Sequence, residues 1–239
     1  MSTTVSKLRV RYTKNGKVRF VGHRDVARIF DRAIRKLRLP TAYTEGFSPR
    51  PKISFGLALS VGHESDAEYL DIELAAPADL EGLCEQFTAA LPNGFSVAGI
   101  VEVDPKQESL QQAISCCTWQ IEVLGLSLQD AEVAVAAALS TDDLSLERMR
   151  KGKPSTVNVR PAIHELFVVG PTDGGAQLEV ELATVPIAVR PSELIRVLGA
   201  DYHEGRVRRT HQWMTVADAR TEPIGRSGVA TKHTTLCAS

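Results

Sequence analysis

The sequence predicts an α+β protein made of two tandem ferredoxin-like halves with antiparallel sheets. Three observations carry this expectation. A chain of 239 residues, 43% hydrophobic and 24% charged, is long enough for two cores of about 100 residues each. Its apolar pattern switches repeatedly between a period of two and one of 3.6. The switches fall twice in the order β-α-β-β-α-β, although no sequence repetition joins the two rounds. The expected divisions are an N-terminal domain over 1–105, a C-terminal domain over 112–214 and a flexible Thr-, Ser-, Gly- and Ala-rich tail over 215–239.

Val5 to Tyr12 alternates as a strand with Leu8, Val10 and Tyr12 on one face, and Asn15-Gly16 signals a hairpin that returns Val18 to Val21 beside it. From His23 to Leu39 the period becomes helical, with Val26, Ile29, Phe30, Ala33 and Leu37 on one side and Pro40 as the stop. Strands follow at Ile53 to Leu59 and Ala67 to Leu74, a helix from Pro77 to Leu91, and a strand from Phe95 to Val103. The second round reads as a strand at Ile114 to Leu124, a Ser127-capped helix to Leu139, and strands at Leu144 to Met149, Thr156 to Val159, Leu166 to Val169 and Gln177 to Ala183. A short helix opens at Pro191, and Val207 to Met214 is the last strand.

The formal net charge of −1 conceals a large separation. Residues 5–52 hold 14 lysines and arginines against three acids, a net +11, whereas residues 53–147 hold one base against 17 acids, a net −16. Either the basic segment serves a polyanion while the acidic body keeps the chain soluble, or the two segments neutralise each other within one domain. At 100° per residue, Arg24, Arg28, Arg32 and Arg35 fall within about 80° of one another, opposite the apolar stripe of their helix. Such a ridge suits bidentate phosphate contacts, or it pairs with acids elsewhere.

The stretch Tyr43-Thr44-Glu45-Gly46-Phe47-Ser48-Pro49-Arg50-Pro51-Lys52 is stiffened by its two prolines, so that Arg50 and Lys52 project from an extended rail. Tyr43 and Phe47 stack on unpaired bases in one reading, and Phe47 pins the loop to the core in the other. Further basic clusters lie at Arg148, Arg150, Lys151, Lys153 and Arg160, with no acid between their ends, and at Arg206, Arg208 and Arg209.

Three blocks carry a resemblance: Phe20-Val21-Gly22-His23-Arg24-Asp25, Ala42 to Gly56 (AYTEGFSPRPKISFG), and Gly62-His63-Glu64-Ser65 with Glu68-Tyr69. Over about the first 75 residues the chain resembles the uncharacterised radical-SAM-associated protein family, a domain of unknown function found fused to, or encoded beside, radical-SAM proteins. Some members lie near genes for ribonuclease E/G and large-subunit ribosomal proteins. The resemblance implies RNA processing or modification, with tRNA or rRNA as partner and a separate radical-SAM protein or ribonuclease beside it. His23 and Asp25 occupy the family's His-x-Asp positions, while His63 replaces the valine of its Gly-Val-Glu-Ser. The chain lacks a Cys-x3-Cys-x2-Cys motif, so it reads as a free-standing accessory domain rather than the radical-SAM catalyst.

Walker, dinucleotide, nucleophile-elbow and HExxH motifs are absent. Cys116 and Cys117 are adjacent on an expected strand, point to opposite faces, and make a poor metal pair, so no metal and no cofactor are expected. No run reaches the roughly 20 apolar residues of a membrane span, and the amino terminus and cysteine spacing fit a reducing cytoplasm. His23 with Asp25 is either an acid/base group near a phosphate or a helix-start residue holding exposed N–H groups. The leading expectation is an RNA-binding accessory protein and not an enzyme. The alternatives are a metal-independent endoribonuclease of tandem ferredoxin-like type, with His23 as acid/base and Gly199 to Gly205 beside Arg206 as a phosphate loop, and a protein adaptor docking an acidic partner.

Overall fold

Alternation in the first apolar run makes β1 (Ser6–Lys14), after which Gly16–Phe20 turns as a short 3-10 helix and His23–Lys36 forms α1. Then come β2 (Ile53–Phe55), β3 (Glu64–Leu74), α2 (Leu83–Ala90), β4 (Phe95–Val103), α3 (Leu110–Ala113) and β5 (Ile114–Leu124). The chain continues through α4 (Leu128–Ser140), β6 (Ser145–Arg150), β7 (Lys153–Asn158), β8 (Ile163–Pro171), β9 (Gly175–Ala183), α5 (Pro191–Leu198), β10 (His203–Val216), β11 (Ala219–Thr221) and β12 (Thr234–Leu236). This computed structural model describes residues 4–150, 152–217, 219–224 and 234–236, without the side chains of Arg150 and of 234–236. No helix among them is long and apolar enough to cross a membrane.

Contacts divide the chain into two compact units, Met1–Ile114 with Trp213–Ser239, and Ser115–Gln212. In the first unit β1 is central. It pairs antiparallel with β3 on one side and β4 on the other, while β2 lies along β3 and β12 along β4. Both edges of β1 are therefore occupied, which leaves no edge for the hairpin return expected at Val18 to Val21. Gly16 at φ +70° leads instead into the 3-10 turn, and Gly94 packs so closely on it that an added Cβ would stand 2.6 Å from the Asn15 carbonyl oxygen.

Leu8, Val10 and Tyr12 of β1 face α1, whose Val26, Phe30, Ala33 and Ile34 are buried. Phe30 is the hub, with ring centroids 4.6 Å from Tyr12 and 6.1 to 6.3 Å from Phe55, Phe87 and Phe95. Fully burying side chains of this size contributes about 1.5–3 kcal/mol each before entropy is counted. Arg38 at φ +53° and Pro40 end the helix. In the second unit the order is β10-β5-β9-β8, and β6 with β7 makes a separate two-stranded sheet. Ser127 caps α4 by accepting from the Asp130 N–H, as its Ser-x-x-Asp start predicts.

The class is α+β, but the two tandem ferredoxin-like halves with antiparallel sheets are corrected by the strand pairing. Among the described residues ten strands belong to one large hydrogen-bonded sheet rather than to two. The chain from Trp213 onward groups with the first unit, and the second unit is the continuous segment Ser115–Gln212. The physical reason is that apolar periodicity identifies strands without specifying which sheet edge each one joins. Within the expected tail, residues 219–221 form β11 on β10 and residues 234–236 form β12 on β4, while 218, 225–233 and 237–239, Cys237 among them, lie outside the described residues.

Candidate nucleic-acid interface

An amphipathic helix that buries one face against a sheet must present the other to solvent, and α1 does so with arginine. Arg24, Arg28, Arg32 and Arg35 are all exposed. Two are tied along the helix: Arg28 Nη1 donates to Asp25 at 2.8 Å, and Arg35 Nε reaches the Asp31 carboxylate at 3.2 Å. These contacts offset part of the like-charge repulsion that spacings of three and four create. Asp31 beside it holds the Arg35 guanidinium above its ordinary value, first through the hydrogen bond and then through its charge. Arg24 and Arg32 have no ion-pair partner among the described residues.

The loop that follows is a pinched excursion from the sheet edge. Tyr43 bridges to Pro51, the Thr44 N–H donates to the Arg50 carbonyl at 2.9 Å, and the Lys52 N–H donates to Ala42 at 2.8 Å. Thr44 Oγ1 accepts from the Arg50 N–H at 3.1 Å, so side chain and backbone together lock the base of the excursion. Residues 44–50 stand in solvent with Gly46 at φ +117°, a conformation that glycine adopts freely. Phe47, at 110% relative exposure, touches no core, which decides between its two readings: it is not a plug. Helix and loop meet where the Arg35 guanidinium lies over the Tyr43 ring, 5.6 Å from its centroid. Ridge and loop thus share one surface of the first unit. Arg50 points its charge into solvent, whereas Lys52 is half-buried and paired with Glu73 at 3.4 Å.

Arg9, Arg11 and Lys14 of the basic segment are internal. Arg9, fully buried, donates from Nε and Nη2 to both oxygens of Asp71 at 2.8 and 3.0 Å, directly across the β1–β3 ladder. Arg11 Nη1 pairs with Glu222 at 3.0 Å, and buried Lys14 donates to the Arg19 carbonyl at 3.2 Å. Part of the +11 of residues 5–52 is therefore neutralised inside the unit, and most of the exposed remainder lies on α1 and the loop after it, with Lys17 on the 3-10 turn before it.

His23 is exposed at the start of α1, its ring edge-on to Phe55 at 5.2 Å. The N-cap is Gly22 and has no side-chain hydrogen bond, so His23 does not occupy the N-cap position. Asp25 pairs with Arg28. His23 also lines a small pocket with Tyr12, Lys14, Phe55, Glu68 and Tyr69. A feature the sequence reading passed over is Phe20, exposed and covered by the Arg19 guanidinium at 4.8 Å; the adjacent Arg-Phe pair was its only signal.

In the second unit, Arg148 is held by Glu193 at 2.8 Å and by the Ala188 carbonyl at 2.7 Å, and Arg160 donates to the Ile163 carbonyl at 2.9 Å. Lys153, Arg206 and Arg208 are exposed or half-exposed, whereas Arg209 is buried with its guanidinium 5.2 Å from the Trp119 centroid. The backbone of Arg150 continues β6, and Lys151 lies outside the described residues. The Gly199 to Gly205 stretch offers no open anion cradle at its end, because the Arg206 N–H already donates to Glu122 Oε2 at 3.0 Å.

A family model described as an uncharacterized protein conserved in bacteria (DUF2344) matches residues 7–191. The chain belongs to this family. The matched span takes in nearly all of β1, all of α1, the Phe47 loop and most of the second unit, so it covers the arginine ridge and its loop but not Arg206, Arg208 and Arg209. No curated protein matches the chain.

Proposed function

We propose that this DUF2344 protein is an RNA-binding module that presents tRNA or rRNA to a modification or processing partner, a separate radical-SAM protein or a ribonuclease. Phe47 carries the reading. A phenylalanine wholly in solvent, on a loop whose base is locked by hydrogen bonds, costs solubility and contributes nothing to the core, so its use lies outside the chain. The same unit holds solvent-exposed cations: Arg24 and Arg32 on the ridge, Arg50 on the loop. Cations that track phosphates beside an aromatic ring that stacks a base are the two components of single-strand recognition.

The test is RNA retention by fluorescence anisotropy. Arg28→Glu with Arg32→Glu abolishes binding and flattens its salt dependence, and Phe47→Ala weakens it by the equivalent of about 1–3 kcal/mol per stacked base. Undiminished binding by the double variant would refute the proposal. A second reading, a metal-independent endoribonuclease, draws on one observation, the pocket that places His23 with Lys14 and Glu68. It requires RNA cleavage in EDTA that His23→Ala abolishes; RNA left intact by the parent protein rejects it. The adaptor reading requires protein partners that survive RNase treatment.

A further inference from the structure

Outside the basic surface, the second unit gathers three metal-ligating side chains from three adjacent strands. Cys116 of β5, Glu181 of β9 and His164 of β8 bring Sγ, a carboxylate oxygen and a ring nitrogen within 4.8 Å of one another. Cys116 Sγ lies 3.2 Å and His164 Nδ1 3.1 Å from the same oxygen, Glu181 Oε1. We propose that these three side chains are a binding site for one divalent transition-metal ion, zinc foremost.

The donor set fits. Thiolate, imidazole and carboxylate are the ligands that zinc takes, at about 2.3, 2.0–2.1 and 2.0–2.2 Å, and a tetrahedron with those bond lengths separates its donor atoms by about 3.3–3.6 Å. The separations from Glu181 Oε1 are already close to this, so an ion enters by small side-chain rotations, with no movement of the sheet. Three protein ligands leave the fourth position to water, and the side chain of His164, 43% exposed, marks the solvent side.

The backbone supplies an independent observation. Along the β8–β9 ladder Ile163 pairs with Leu182 and Glu165 with Glu181, so His164 is the extra residue of a β-bulge. In a regular register position 164 would itself oppose Glu181. Bulges place two residues of one strand against one of its partner at the expense of ladder hydrogen bonds, and this one sets both His164 and Glu165 of β8 against the single Glu181 of β9. Charge adds a third argument. Glu181 is 5% exposed and has Glu165 directly opposite, an arrangement in which a bound cation offsets both the desolvation of one carboxylate and the repulsion between two. The site also explains why adjacent cysteines differ in use: Cys117 is on the opposite face of β5, in the core, while Cys116 turns to the ligand cluster.

The experiment uses the full-length protein, stripped with a chelator under reducing conditions and titrated with zinc alone and with cobalt(II) as a spectroscopic probe. One zinc per chain is expected, with a thiolate-to-cobalt charge-transfer band in the near ultraviolet. Cys116→Ser removes the band, and His164→Ala, a change at a part-exposed position, lowers affinity at least tenfold while leaving the far-ultraviolet circular dichroism of the parent. Zinc uptake no greater in the parent than in His164→Ala, or a cobalt spectrum without thiolate character, would overturn the proposal. In that case the three groups are simply a hydrogen-bonded cluster.

Discussion

Two neighbouring elements, β1 and α1, carry cations in similar density and do opposite things with them. On β1, a strand flanked on both edges, alternation puts Leu8, Val10 and Tyr12 on the helix side and Arg9 and Arg11 on the other, where each guanidinium is buried and matched to a carboxylate. On α1, Arg24, Arg28, Arg32 and Arg35 stay in solvent, and the two acids they reach are on the same helix. A count of basic residues therefore overstates the charge that a partner meets. On these two elements the alternating cations Arg9 and Arg11 of the strand belong to the internal structure and the arginines of the helix to the surface, and the local period sets the face each one takes.

That contrast can be broken experimentally, and the largest effect belongs to β1. Asp71→Ala leaves the Arg9 guanidinium buried without its partner and is expected to cost about 3–5 kcal/mol in urea denaturation, while Arg9→Met with Asp71→Leu restores much of it. A loss no greater than that of Asp25→Ala would erase the distinction between the two elements. Glu222→Ala, which frees Arg11, is expected to cost about 1–3 kcal/mol by the same measurement.

Next in size is a pH effect. Burial pushes the Tyr69 phenol well above its ordinary value, and its oxygen has no hydrogen-bond partner among the described residues. Because the folded value exceeds the unfolded one, the contribution to stability is intact below about pH 10 and is lost above it, at about 1.4 kcal/mol per pH unit. Tyr69→Phe is expected to remove this alkaline slope and to leave stability at neutral pH equal or higher. Smallest is the effect of reversing the ridge: Arg24→Glu with Arg32→Glu is expected to stay within about 0.5 kcal/mol of the parent in urea, although the same change weakens RNA binding. A large loss of stability there would make the ridge a structural element.

Much of this was legible in the sequence, and the failures have causes. β4 and β5 follow their alternation residue for residue, at Phe95–Val103 and Ile114–Leu124. The arginine ridge was equally plain, since 3.6-residue periodicity is a property of the helix alone. The second helix begins at Leu83 rather than Pro77 because Gly82, at φ +64°, is left-handed and acts as its N-cap. The Asn15-Gly16 hairpin failed because β1 has its partners elsewhere, 51 to 96 residues away in sequence. The meeting of Cys116, His164 and Glu181 was illegible for a related reason: it requires the strand order β5-β9-β8, which leaves no pattern in composition.

The pair between Arg11 and Glu222 spans 211 residues and so has a consequence for biosynthesis. β1 leaves the ribosome well before β11, yet the carboxylate that neutralises one of its buried cations follows β11, 211 residues after Arg11. At elongation rates of about 5–20 residues per second, Arg11 waits ten seconds or more, on the order of 211 residues of synthesis, for its counter-charge. During that interval the strand that will lie at the centre of the first unit presents an unneutralised guanidinium, and the unit reaches its final electrostatics only once Glu222 has been made.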